Sequence, residues 1–325
     1  MGRADVLVIG GGVIGLAAAL ACADRGARVT VLRGVRPPSA LAAAGMLCPS
    51  FEAMHEGGRA LAAMGAESLA LWDGFAARVS GGDPRALDYR RDGALGVGYP
   101  PGFLGGAPCD VPGGIEAAGG VLVPNEGQVD PRRLLLALAR RLHEAGAAMV
   151  EANADGLMRE GARVVGALAG GEPTRADRTV LATGAAGQAG GLAPTGLIRP
   201  LRGRAFGARL APGDHLALPG AGVLRAPTTY LCQKADGSIY VGATEETRPA
   251  DAVLDGLWHE ACWLVPALRR AARVAVFDGV RPGTEDGLPV LRAEAPGLFL
   301  ALGHHRNGVL LAPLTAARAA DWALA

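Results

Sequence analysis

The first residues of this chain with chemical capacity are main-chain amides. Residues 10–15 read Gly10-Gly11-Gly12-Val13-Ile14-Gly15, a G-x-G-x-x-G pattern. Such a turn binds anions: Gly10 permits a tight bend, Gly12 lets backbone approach a pyrophosphate, and Gly15 allows close helix–strand packing. Val13 and Ile14 open the following helix, whose unpaired N–H groups and positive dipole end face the phosphates. The context supports this reading. An apolar run, Val6 to Ile9, leads into the glycines, an Ala-rich helical stretch follows, and a second β-branched run spans Val29 to Leu32. That βαβ frame makes the motif a dinucleotide fingerprint.

One residue departs from the fingerprint. The second strand should end on an Asp or Glu that accepts hydrogen bonds from the adenosine ribose. Arg33 stands there, and no acid occurs between Asp24 and Glu52. With Arg36 nearby, Arg33 suits a 2′-phosphate, so the turn alone defines a dinucleotide but leaves its identity open.

The elements needed to place such chemistry are legible along the chain. Periodicity predicts a helix over 59–79 with Leu61, Met64, Leu69, Leu71, Phe75 and Val79 buried. Short strands and loops fill the Gly- and Pro-rich stretch 80–119, and a strand covers 121–123. Asp130 caps and Pro131 starts a helix with Leu134, Leu135, Leu138 and Leu142 on its apolar stripe and a stop at Gly146. Strands follow at 147–150, 163–169 and 179–182, the last ending at Thr183-Gly184. Residues 229–233 and 238–242 flank Asp236-Gly237, a hairpin signal. A helix over 251–264, strands at 274–280 and 298–302, and a helix over 308–324 complete the chain.

Parallel-sheet signals lie at both ends and in the middle, with antiparallel signals between them. The expected fold is α/β: a Rossmann-type dinucleotide domain from 1–78, 120–195 and 278–325, and an inserted, mainly antiparallel substrate domain from 79–119 and 196–277. Half of the 325 residues are hydrophobic and the net charge is +1, so no basic excess suggests nucleic acid. No uncharged run reaches membrane-spanning length. Arg3, an apolar stretch and Ala21-Cys22-Ala23 mimic a leader peptide, but the glycines and second strand explain them as a βαβ unit. The cysteines (Cys22, Cys48, Cys109, Cys232, Cys262) are odd in number, scattered and without C-x-x-C. They argue against a disulfide framework or a zinc site and fit a reducing, cytoplasmic setting. His304 and His305 lack the spacing and company of metal ligands, so no metal is expected.

Beside the glycine turn, four segments carry a family resemblance that runs from end to end. They are residues 42–47 (Ala-Ala-Ala-Gly-Met-Leu), 127–134 (Gly-Gln-Val-Asp-Pro-Arg-Arg-Leu), 279–289 (Gly-Val-Arg-Pro-Gly-Thr-Glu-Asp-Gly-Leu-Pro) and 303–313 (Gly-His-His-Arg-Asn-Gly-Val-Leu-Leu-Ala-Pro). The hairpin 230–244 supports them. The chain resembles the glycine oxidase branch of the D-amino-acid oxidase-like flavoproteins, the branch associated with thiazole synthesis for thiamine. The resemblance implies FAD as cofactor. It implies hydride transfer from a substrate Cα to flavin N5, imine hydrolysis, and reoxidation by O2 with H2O2 as product.

By the same resemblance, Arg281 binds the substrate carboxylate, a task suited to its planar fork. Tyr230 assists through its hydroxyl, and Arg306 helps bind substrate or sets the pocket charge. Ala43, Ala44, Gly45 and Met46 lie along the flavin ring, where small residues let backbone approach. Thr183, Gly184, His305, Asn307, Gly308, Val309 and Leu310 surround the cofactor, as do Arg33, Arg281 and Arg306. Gly308 starts the last helix with its positive end toward the flavin.

Three residues leave the family pattern: Cys48, Gln233 and Glu245. If Glu245 points inward, it disfavours an anionic substrate. The expected partners are a small amino acid or amine and O2; a homo-oligomer is left open. Alternative readings are a flavin dehydrogenase with another acceptor, a non-catalytic flavin-fold protein, and an NADP-binding reductase.

Overall fold

The computed structural model describes residues 3–99, 102, 104–187, 191–245 and 251–325. Among the described residues, five helices, α1 (Val13–Ala23), α2 (Gly58–Ser80), α3 (Pro131–Glu144), α4 (Asp251–Leu264) and α5 (Ala312–Ala323), accompany two eight-stranded sheets and a two-stranded ribbon.

The Ala4–Ile9 strand is the centre of the first sheet. It pairs in parallel with Val29–Leu32 on one side and Glu172–Leu181 on the other. Parallel neighbours need crossovers, and α1 supplies the first. Covered on both faces, the central strand is apolar from Val6 to Ile9, and Val6, Leu7 and Val8 are fully buried. The Ala-rich α1 is buried nearly all round, packed against the sheet, α3 and α5. Asp130 caps α3 as expected, accepting from the amides of Arg132 and Arg133.

The second sheet runs Ala272–Gly283, Arg199–Arg209, Ile239–Gly242, Tyr230–Gln233, Val223–Arg225, Ala94–Val97, Gly120–Val123, Ala107–Cys109. Its strands alternate. Leu224, Leu231, Ile239 and Val241 pack in the cluster that includes α4 residues, whereas Val223, Cys232 and Tyr240 join Ala44 and Phe51 on the opposite face. Register then places Tyr230 opposite Gly242 and Arg281 opposite Leu201.

Three expectations change, and one strand is new. Leu71 is 41% exposed, and Trp72 takes its place in the core, because the stripe Leu61, Ser68, Leu69, Trp72, Phe75, Ala76, Val79 follows a period Leu71 does not share. The last helix starts at Ala312, after a turn, instead of at Gly308. The Gly120–Val123 strand belongs to the second sheet, and Ala272–Gly283 stays in that sheet to its end. The Val290–Ala295 strand, an antiparallel edge on the first sheet, carried too little alternation to be recognised.

Candidate active site

The glycine turn is built as its spacing implies. A methyl on Gly10, at φ +132°, would stand 2.1 Å from the Ala182 carbonyl oxygen, and one on Gly15 would stand 1.9 Å from the Gly10 carbonyl oxygen. Gly12 instead faces open space, with nothing among the described residues within 4 Å of a built methyl. It precedes α1 without any side-chain cap, leaving the first amides of the helix free for an anion. Thr183 adjoins this turn, its buried hydroxyl lacking a hydrogen-bond partner among the described residues, and Gly184 follows in the left-handed region. Gly308 arrives from the far end of the chain, where a methyl built on it would stand 3.9 Å from Val13 Cγ1. An open glycine face, an uncapped helix start and an unpartnered hydroxyl fit the phosphate portion of a dinucleotide.

Arg33 lies across Gly11, and its Nη2 stands 3.4 Å from Glu151 Oε1. Glu151 follows the Ala148–Val150 strand, the parallel neighbour of Val29–Leu32. A carboxylate is therefore present at this sheet edge, on the adjoining strand and paired with Arg33. Arg36 is exposed.

The small-residue loop is held from the second sheet. The Tyr240 hydroxyl donates to the Ala42 carbonyl at 2.5 Å, and Lys234 Nζ donates to the Ala44 carbonyl at 2.6 Å and to Gln128 Oε1 at 2.7 Å. Gly45 sits against the Val129 carbonyl, where a methyl would come within 2.0 Å. Lys234 is buried, which lowers its pKa. Cys48 is an inert buried thiol whose pKa burial pushes well up.

The 303–311 turn is fixed from three sides. The His305 amide donates to the Pro282 carbonyl at 2.8 Å, with His305 itself at φ +48°. Asn307 Nδ2 donates to the buried Glu52 at 2.9 Å. Ser68 Oγ and Trp72 Nε1 both donate to the Leu310 carbonyl, at 2.7 and 2.9 Å. Val309 and Leu310 are buried. His304 is buried against Thr315, and burial lowers its pKa to about 3.

Charged side chains converge beside this turn. Arg281 Nη1 donates to the Thr244 carbonyl at 3.0 Å. Glu245 Oε2 lies 2.9 Å from Arg306 Nη2, 3.9 Å from Arg281 Nη1 and 3.3 Å from His305 Nε2. The His305 ring beside it, with Arg306 and Arg281, holds Glu245 down to about 2. Arg306 Nη1 also approaches the His55 ring at 3.4 Å, and Arg225 Nη2 approaches it at 3.3 Å. Burial and the Arg306 charge press His55 down to about 4, leaving it neutral. Arg225, itself buried, lies 3.9 Å from Glu52 and over the rings of Phe51 and Tyr230. Tyr230 stacks on Tyr240, and its hydroxyl is kept protonated by burial.

Arg281, Arg306, His305 and Tyr230 thus share one region, as do the glycine turn, Thr183, Gly184 and Gly308. Arg225, Glu52 and His55 were not anticipated. Arg225 carried one signal, a cation closing an otherwise apolar strand, Val223–Arg225. Among the described residues no group of three or more His, Cys, Asp or Glu side chains is placed to hold a metal, and no helix is long and apolar enough to cross a membrane.

A mainly parallel sheet with a glycine turn suited to phosphate, beside a mainly antiparallel sheet that supplies arginines, is the arrangement of a dinucleotide-dependent oxidoreductase. The model of the DAO family, FAD dependent oxidoreductase, matches residues 5–322. The chain belongs to this family, and FAD is the cofactor it implies. It is 32% identical to the bifunctional protein ThiO/ThiG of Nostoc sp., over 98% of this chain and 52% of that protein. It thus spans about half the length of that relative. It is also 32% identical to the glycine oxidase of Geobacillus kaustophilus, over 98% of this chain and 92% of the relative. The crystal structure of glycine oxidase from Geobacillus kaustophilus superposes with a TM-score of 0.84 at 28% identity, covering 100% of this chain and 95% of that one.

Proposed function

We propose that this chain oxidises glycine or another small amino acid or amine carrying one carboxylate. The carrying observation is the charge at the site: Arg225, Arg281 and Arg306 face Glu52 and Glu245. Three guanidiniums against two carboxylates, with His55 neutral, leave one positive charge for one substrate carboxylate. Arg281 is the group that receives it, because its Nε and Nη2 make no hydrogen bond among the described residues. Tyr230, protonated throughout the physiological range, donates from its hydroxyl to the same carboxylate. Holding the substrate in place is the main task of these residues. FAD, when bound, supplies the two-electron acceptor. The product imine hydrolyses in water, and O2 is the final acceptor, giving H2O2.

The names of the relatives and the family resemblance support a glycine-oxidising role in the thiazole route to thiamine, in the cytoplasm. The test is an anaerobic absorption spectrum of the holoprotein before and after glycine, sarcosine and D-alanine. Bleaching of the flavin band by one of them is expected; a spectrum that no amine bleaches overturns the proposal. Peroxide yield in air then checks O2 as acceptor.

A further inference from the structure

We infer that Glu245 is a specificity-determining residue that excludes substrates bearing a second carboxylate. This deepens the proposed function and rests on its reading of Arg281. A single oxygen of Glu245 is 2.9 Å from Arg306, 3.9 Å from Arg281 and 3.3 Å from the His305 ring. The chain's own carboxylate therefore already occupies the side of the arginine pair that a second substrate carboxylate would need. Arg306 is engaged by it directly, and Arg281 Nη1 is shared between it and the Thr244 carbonyl. What remains is the other edge of Arg281, enough for one carboxylate.

The repulsive element adds to the occupied one. A dianionic substrate would bring its far charge close to Glu245 in a partly buried site, where like charges repel strongly. Discrimination built from an internal repulsive charge is a general route to specificity. A glutamine at this position keeps the shape and an acceptor for Arg306 but removes the charge, leaving the site with two surplus positive charges. It would then match a dicarboxylate.

The experiment titrates acetate and malonate into the FAD-loaded protein, following the flavin absorption and the heat of binding, for wild type, E245Q and R281A. Wild type is expected to bind malonate no tighter than acetate. E245Q is expected to bind malonate at least ten-fold tighter than acetate. E245S carries the same comparison if E245Q does not fold. An unchanged malonate-to-acetate ratio in E245Q, with acetate binding lost in R281A, overturns the role of Glu245 and leaves the proposed function standing. Failure of every variant to bind either acid overturns the carboxylate reading of Arg281, and the inference with it.

Discussion

The guanidinium of Arg281 lies against the α-carbon of Gly203 on the neighbouring strand. A methyl built on Gly203 would stand 2.2 Å from Nη1 and 2.3 Å from Cζ of that arginine. The two residues belong to one antiparallel ladder, in which Gly203 pairs with Gly279, two positions from Arg281. Gly203→Ala is therefore expected to displace Arg281 without touching it chemically. We expect KM for the amine to rise roughly ten-fold, with FAD content unchanged, since a charge-assisted hydrogen bond contributes about 1.5–3 kcal/mol. Steady-state kinetics with a flavin count checks this; an unaltered KM would show that the contact is immaterial.

Arg281→Ala removes the cation itself. KM is expected to rise about 100-fold with the flavin still bound, from the same energy range. Kinetics unchanged from wild type would sink the role assigned to Arg281.

Tyr230→Phe keeps the ring stacked on Tyr240 and deletes one hydroxyl. The loss is expected to be near 1 kcal/mol, about five-fold in KM, with little change in kcat. Because burial raises the Tyr230 pKa, wild-type KM is expected to show no inflection from this residue between pH 7 and 10. An inflection there that Tyr230→Phe abolishes would contradict a protonated donor.

Arg33 occupies the position where the ribose-binding acid is expected, and the nearest carboxylate, Glu151, is paired with it. FAD is expected to be held weakly, with part of it lost on exhaustive dialysis and restored by added FAD. Stoichiometric flavin after long dialysis would show that backbone and phosphate contacts are sufficient.

Glu126 offers a pH test of stability. One of its oxygens accepts from the Ser50 amide at 2.7 Å, whereas the other is buried without a partner among the described residues. Burial lifts this carboxyl from its ordinary 4.5 to about 7. The folded state then holds a proton that the unfolded chain releases, so stability falls as pH rises from 4.5 to 7. At ~1.4 kcal/mol per pH unit the cost at pH 8 is roughly 3 kcal/mol. Glu126→Gln is expected to raise Tm at pH 8 and to leave it nearly unchanged near pH 4.5. An equal effect at both values would exclude titration of Glu126 as the cause.

What the sequence disclosed follows from how local each signal is. Asp130 and Pro131 start α3 through contacts within three residues, and the Ala4–Ile9, α1, Val29–Leu32 unit is set by glycines and β-branching along one short stretch. The Leu298–Leu302 strand was found by the same local reasoning. Leu71 and Trp72 differ by one residue and therefore by 100° of helix, which a loose periodic count does not separate. The site's charge balance was hidden for another reason. Glu52 with Asn307, Glu245 with Arg306 and Arg33 with Glu151 are pairs formed across 61 to 255 positions of chain. Nothing in the neighbours of either partner announces them. The direction of Glu245 is open in the sequence and is seen only in its pairing with Arg306.

Ser68 and Trp72, one turn apart on α2, both hold the Leu310 carbonyl. That shared acceptor makes the 303–311 turn an outgrowth of the folded core. Its shape is inherited from helix packing, so the apoprotein is expected to carry it already, with no ordering of this segment left for flavin uptake to drive. Damage to α2 and loss of cofactor are then expected to be separate injuries: the first dismantles the turn, and the second leaves it standing, ready to be refilled.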